Sequence, residues 1–131
     1  MAGRKPKIIN DLIEFSRTFL EDVYWSEEHN QYQVPISHIT GITNWLKLDE
    51  WSLFKSPFMA PVLAQMAYGK ILEAGYDVTI IDFMCGEYRF RGSIGTDIFC
   101  GEPNENQWIA MWSGIKRAVE ILEMIKQEKA S

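Results

Sequence analysis

Three short segments that alternate apolar and polar residues, Asp77–Phe83, Glu87–Arg91 and Thr96–Cys100, follow one another with only three or four residues between them. A parallel crossover needs a dozen or more residues, so connections this short allow only antiparallel pairing. The β-branched run Val78-Thr79-Ile80-Ile81 suits a pleated strand. Helical periodicity stands on both sides. Before the strands, residues from about Pro61 to Ala74 predict a helix with Gly75 as its C-terminal cap. After them, Trp108, Met111, Trp112, Ile115, Ala118/Val119, Leu122 and Ile125 form one apolar stripe. Pro103 marks the approach to this last helix, and Asn104 with Gln107 has the form of a capping box. The expected fold class is therefore α+β: N-terminal helices followed by an α-β-β-β-α unit with a three-stranded antiparallel meander and a long C-terminal helix.

The second hairpin of the meander has a choice of register. A four-residue loop over 92–95 would pair Phe90 with Asp97. A three-residue loop, Ser93-Ile94-Gly95, pairs Gly92 with Thr96, Phe90 with Ile98 and Tyr88 with Cys100, and sets Arg91 opposite Asp97 and Arg89 opposite Phe99. Gly95 supplies the left-handed residue that such a loop ends on. This register separates an apolar face from a charged one, and it is the one expected.

The N-terminal half is read as helical. Pro6 suits a first helical turn, and Ile8, Ile9, Leu12, Ile13, Ser16/Phe19, Leu20 and Val23 recur at three- and four-residue spacing up to about Tyr24. Ser26–Gln33 is polar and reads as a loop. Within 34–55, Ile36, Ile39, Ile42, Trp45 and Leu46 predict a short helix capped by Ser37, although Gly41 and the β-branched residues weaken it. Ser56-Pro57-Phe58-Met59-Ala60-Pro61 forces an extended or turn conformation before the next helix.

A chain of 131 residues is a usual length for one domain and can bury about two-thirds of its unfolded surface without a staple. Residues 1–131 are read as a single domain, with 1–6 a flexible basic arm carrying Arg4 and Lys5, next to Lys7. The net charge is −5, and most of the acidity lies in 11–50, with eight carboxylates against Arg17 and Lys47. Such a body repels phosphate backbones at long range, so broad nucleic-acid binding is not expected. No apolar run spans a bilayer and no secretory signal opens the chain, which gives a cytoplasmic expectation without membrane contact. Two cysteines, Cys85 and Cys100, make neither a disulfide framework nor a zinc site, and both read as buried small hydrophobes.

Several motifs fail on their chemistry. Double-stranded-RNA-binding domains share the α-β-β-β-α order but grip phosphates with basic residues at the start of the last helix, where this chain has Asn104-Glu105-Asn106-Gln107. Metal-dependent nucleases need two strand carboxylates and a lysine. Asp82, Glu87 and Arg89 stand in loosely comparable places, but arginine does not activate water. Ile42-Thr43-Asn44-Trp45-Leu46-Lys47 offers only Lys47 to phosphates and reads as a packed amphipathic helix with Trp45 buried. His29 and His38 lack ligand partners at the required spacing. No catalytic set, metal site or cofactor is expected.

Two features remain. The strand face carrying Arg89, Arg91, Asp97 and Phe99 joins guanidinium forks to an aromatic ring, which suits an anionic ligand that stacks. The bland reading is a solvated sheet face with a cross-strand Arg91–Asp97 pair. Ala110, Gly114 and Ala118 form a strip of small residues on the last helix, where Gly114 implies close backbone approach by the first helix or by a second subunit, with Lys116 and Arg117 one turn on. In size, acidity, aromatic content and absence of catalytic motifs the chain resembles small phage-encoded accessory and anti-defence proteins. That resemblance of type covers the whole chain through no motif, and implies blocking of a host protein or sequestering of a nucleotide signal within an oligomer, in the host cytoplasm.

The leading expectation is thus a non-catalytic, self-associating binding protein that holds an anionic, nucleotide-like small molecule with Arg89, Arg91, Asp97, Phe99 and Arg117. A second is a protein-binding inhibitor that docks its acidic 11–50 region on a basic partner, and a third is a divalent-metal nuclease acting through Asp82 and Glu87.

Overall fold

The computed structural model describes residues 7–36, 44–74, 78–84, 86–94 and 97–130, with the side chains of 36, 44, 78–84, 94, 97 and 130 left aside. The expectations placed on Pro6, Ser37, His38, Gly41, Gly75, Cys85 and Gly95, and on the basic arm, lie outside the described residues. The class is α+β, and its helices are α1 (Lys7–Phe19), α2 (Met59–Glu73) and α3 (Gln107–Ala130). The strands are β1 (Tyr24–Ser26), β2 (Gln31–Ile36), β3 (Asn44–Lys47), β4 (Val78–Met84), β5 (Glu87–Ile94) and β6 (Asp97–Cys100). They form two three-stranded antiparallel sheets, β1-β2-β3 and β4-β5-β6. By contact density the chain divides into two compact units, Met1–Leu63 and Ala64–Ser131, with the division falling inside α2.

In the first unit α1 buries Leu12, Ile13 and Ser16, whose hydroxyl donates to the Ile13 carbonyl at 2.7 Å. The helix stops at Phe19, short of the expected end near Tyr24. Asp22 takes a left-handed φ of 61°, a conformation Asp tolerates through local hydrogen bonding, and the chain leaves it as strand β1. The first sheet corrects the reading of residues 24–55. Ser26–Gln33 is not one loop: Glu27–Asn30 is a turn ending on Asn30 at φ 53°, and Gln31–Gln33 already belong to β2. Where a short helix is expected to carry Ile36, Trp45 and Leu46, β2 runs on to Ile36 and Asn44–Lys47 returns as β3, with Val34 opposite Leu46 and Pro35 opposite Trp45; Ile39 and Ile42 lie outside the described residues. Val34 and Ile36 are β-branched and fit a strand, and cross-strand burial of Val34 and Leu46 decides between the two.

A single wide helical turn, Trp51–Lys55, closes with the Ser56 N–H on the Trp51 carbonyl at 2.7 Å. Asp49 and Ser52 hold its start by reciprocal bonds. The Ser52 N–H donates to Asp49 Oδ1 at 2.8 Å and the Asp49 N–H donates to Ser52 Oγ at 3.0 Å, the pattern of a capping box. Ser56 then caps α2, accepting the Met59 N–H on its hydroxyl at 2.9 Å, with Pro57 preset for a first helical turn. The helix runs from Met59, two residues before Pro61, and its first backbone bond is the Ala60 N–H on the Ser56 carbonyl at 3.2 Å.

The second unit contains the expected three-stranded antiparallel meander and long C-terminal helix. Its second hairpin has a different register from the one expected: Arg91 pairs with Cys100, Gly92 with Phe99, Ser93 with Ile98 and Ile94 with Asp97. β5 ends at Ile94 and β6 begins at Asp97, directly opposite it. The three-position slip turns β6 over, because an odd shift exchanges the faces of every residue in a strand. Gly92 carries no side chain, so Phe99 lies across it beside Phe90, ring centroids 6.1 Å apart, and both rings are buried.

Helix α3 covers that buried face. Ile109–Ile115 and Ala118 are buried, and Gly114 meets the Phe90 ring directly. The close approach inferred from the small-residue strip is therefore made by the sheet, with Gly101 packed on the Gly114 backbone. The α3 cap is Asn106, whose Oδ1 accepts the Trp108 and Ile109 N–H groups at 2.9 and 3.2 Å. Asn104, the expected cap, extends the sheet instead by exchanging backbone hydrogen bonds with Tyr88.

Candidate functional site

The five residues expected to bind a ligand do not converge. Arg89 and Arg91 share one face of β5, where Arg91 is exposed and Arg89 half-buried, and the register sets Asp82 and Ile80 opposite them. Phe99 is on the other face, only 2% exposed and packed with Phe90. The ring meant to stack on a ligand is thus in the core, because the hairpin register places it over Gly92. Asp97 pairs with Ile94 at the end of the hairpin rather than with Arg91, and its side chain is not described. Arg117 is exposed on α3 and donates to Glu120 one turn away at 3.1 Å. Beside the two arginines stand Ile98, 77% exposed, and Cys100, which is exposed and not a buried hydrophobe. Among the described residues no group of three or more His, Cys, Asp or Glu side chains is placed to hold a metal ion.

A more organised arrangement occupies the first sheet. Trp45, expected to be buried in a helix, is 47% exposed, and Tyr24 is 41% exposed. Pairing of Tyr24 with Gln33 and of Pro35 with Trp45 puts the two rings on one face, on either side of the central strand. Their centroids are 4.7 Å apart and their planes meet at 78°, so the rings form a right-angled corner. The Tyr24 hydroxyl donates to Oε1 of the buried Gln33 at 2.7 Å, which fixes the tyrosine ring.

Lys47 lies on the same face, opposite Gln33, and its ammonium contacts Asp49 at 3.1 Å. Burial pushes the Asp49 carboxyl up, but the Ser52 N–H, the Lys47 ammonium and the Ser52 hydroxyl together outweigh it and hold the group below the ordinary carboxylate value. Asp49 therefore stays ionised and keeps Lys47 engaged. The rest of the surroundings is negative. Glu21, Asp22, Glu27 and Glu28 bracket β1, are all exposed, and form no ion pair among the described residues. No Lys or Arg occurs between Thr18 and Leu46.

The opposite face of the same sheet holds a second aromatic pair. Trp25 and Tyr32 are directly cross-strand, with centroids 4.9 Å apart and planes at 70°. The Arg17 guanidinium from α1 sits over the Tyr32 ring at 4.2 Å, well inside cation–π range.

Helical spacing hides this surface in the sequence, because it makes Tyr24 a helix end and Trp45 part of a helix core. A signal was present: the polar turn Glu27-Glu28-His29-Asn30 stands between Tyr24-Trp25 and the alternating Gln31-Tyr32-Gln33-Val34, which is a hairpin pattern.

A scan against protein-family models finds no match to this chain, and neither curated proteins nor solved structures give a match. Among the described residues no helix is long and apolar enough to cross a membrane.

Proposed function

We propose that the chain is a non-catalytic protein-binding module that engages its partner through the outer face of the β1-β2-β3 sheet. The observation that carries this reading is the Tyr24–Trp45 corner: two large aromatic rings held in fixed relative orientation, each more than two-fifths exposed. Aromatic side chains with one polar handle are the residue types that anchor protein interfaces, and leaving two of them in water side by side forgoes apolar burial that the interior could have supplied. The acidic surroundings turn away phosphate-rich ligands and favour a partner with positive surface.

The reading as an anionic-ligand protein keeps Arg89 and Arg91 together but withdraws Phe99 to the buried face of the sheet, so it draws less support. Photo-crosslinking separates the two. A photoreactive residue at Lys47, on the corner's face, should form a saturable adduct with one partner protein, and the same group at Met124 on the exposed side of α3 should not. Tyr24→Ala should abolish the Lys47 adduct. Equal labelling from both positions would defeat the proposal, as would nucleotide binding that disappears in Arg89→Ala/Arg91→Ala and is untouched by Trp45→Ala.

A further inference from the structure

The first sheet carries the same geometric motif twice, once occupied and once open. On one face the Trp25–Tyr32 pair, at 4.9 Å and 70°, receives the guanidinium of Arg17. On the other, the Tyr24–Trp45 pair has nearly the same spacing and angle, 4.7 Å and 78°, and no cation of the described residues lies over either ring. We infer that the open pair is a receptor for a cationic side chain, arginine or lysine, presented by an extended basic segment of the partner protein. This rests on the binding reading above and names the chemistry that the surface selects.

Three considerations lead to the cation. First, the ring faces are negative and the ring edges positive, so a right-angled corner offers one face to a ligand group while the neighbouring ring limits where it can sit. A flat sugar ring or nucleobase stacks best on a broad level platform, which a 78° corner does not supply. Second, Glu21, Asp22, Glu27 and Glu28 bracket β1 without cationic partners among the described residues, which attracts positive charge at long range and repels anions. Third, Lys47, the cation nearest in register, is engaged by Asp49 at 3.1 Å, which leaves the ring pair to a cation from outside. Trp45 is the better cation–π ring of the two, and Tyr24 is fixed in place by its hydroxyl on Gln33.

The test uses the full chain and defined peptides. A nonapeptide of alternating arginine and glycine is titrated while the Trp45 indole N–H is followed by NMR, its signal assigned through Trp45→Phe. The control is the same peptide with citrulline for arginine, which keeps shape and hydrogen bonding and removes the charge. The expected result is a shift of the Trp45 signal by the arginine peptide, with the buried Trp112 signal unmoved. Binding should weaken about tenfold for the citrulline peptide and for Trp45→Ala, and less for Trp45→Phe, which retains a ring face. Added salt should weaken it further.

Equal affinity for the citrulline peptide would overturn the inference. So would arginine-peptide binding that survives in both Trp45→Ala and Tyr24→Ala, since that describes diffuse attraction to the acidic segment alone. A neutral oligosaccharide that moves the Trp45 signal when the arginine peptide does not would assign the corner to carbohydrate, and spermidine bound as tightly as the peptide would assign it to free polyamines. If crosslinking from Lys47 finds a partner while the arginine peptide fails, the cation inference falls and the binding surface stands. If the Lys47 adduct is also absent, both fall.

Discussion

Gly114 of α3 stands against Phe90 of β5 so closely that a methyl group on Gly114 would lie 2.7 Å from the Phe90 Cβ and Cγ atoms. The second unit depends on this contact, because it brings the helix backbone down to the sheet and allows Gly101 to pack on the same turn.

Gly114→Ala is therefore expected to destabilise the protein by about 1–3 kcal/mol, the cost of overpacking a filled core, despite the roughly 1 kcal/mol that alanine gains over glycine in a helix. Gly69 in α2 has open space around the position of an added methyl, so Gly69→Ala should stabilise by about 0.5–1 kcal/mol. Urea denaturation of the two variants should show midpoints moving in opposite directions. Two shifts of the same sign would mean that α3 does not approach the sheet as described.

Phe99 and Ile98 are neighbours in sequence on opposite faces of β6, 2% and 77% exposed. Phe99→Ala should cost about 3–5 kcal/mol, the usual loss for a buried aromatic ring. Ile98→Ser should leave stability within about 0.5 kcal/mol, as surface substitutions do. The opposite ranking, read from thermal or chemical denaturation, would restore the register in which Phe99 faces solvent beside the arginines.

The Asp49 carboxyl links the aromatic face to pH. Its acidity is raised in the folded state, so folding binds its proton less well than the unfolded chain does, and its contribution to stability is present above the ordinary carboxylate value. That contribution fades as the pH falls through the lower folded-state value. Wild type should exceed Asp49→Asn in stability at neutral pH, by no more than about 1 kcal/mol because Lys47 and Asp49 are both solvent-screened. The difference should close in acid. A gap unchanged from neutral to strongly acidic solution would show that the charge contributes nothing.

Much of the second unit could be read before any coordinates. The period change after α2, the short connections and the apolar stripe from Trp108 onward each bear on local conformation, and each points to the meander and its covering helix. The register of β5 with β6 was not legible, since several pairings satisfy alternation, and the choice depends on burying Phe99 beside the Phe90 ring that Gly114 of α3 covers. In the first unit the same ambiguity reached secondary structure itself. Ile36, Trp45 and Leu46 fit a helical spacing, and only pairing of β3 with β2 turned Leu46 inward with Val34 and left Trp45 facing out.

The candidate surface follows the same division. Local sequence determined that residues 21–28 are acidic, that tyrosine and tryptophan are plentiful, and that nothing in the N-terminal half offers phosphates a basic grip. Tertiary structure decided that Tyr24 and Trp45, twenty-one positions apart, share a face and meet at a right angle, whereas Phe99 is withdrawn from Arg89 and Arg91. Composition and periodicity are properties of residues near one another in the chain. Which face a strand presents depends on its partner's register, and that is set by contacts between segments far apart in sequence.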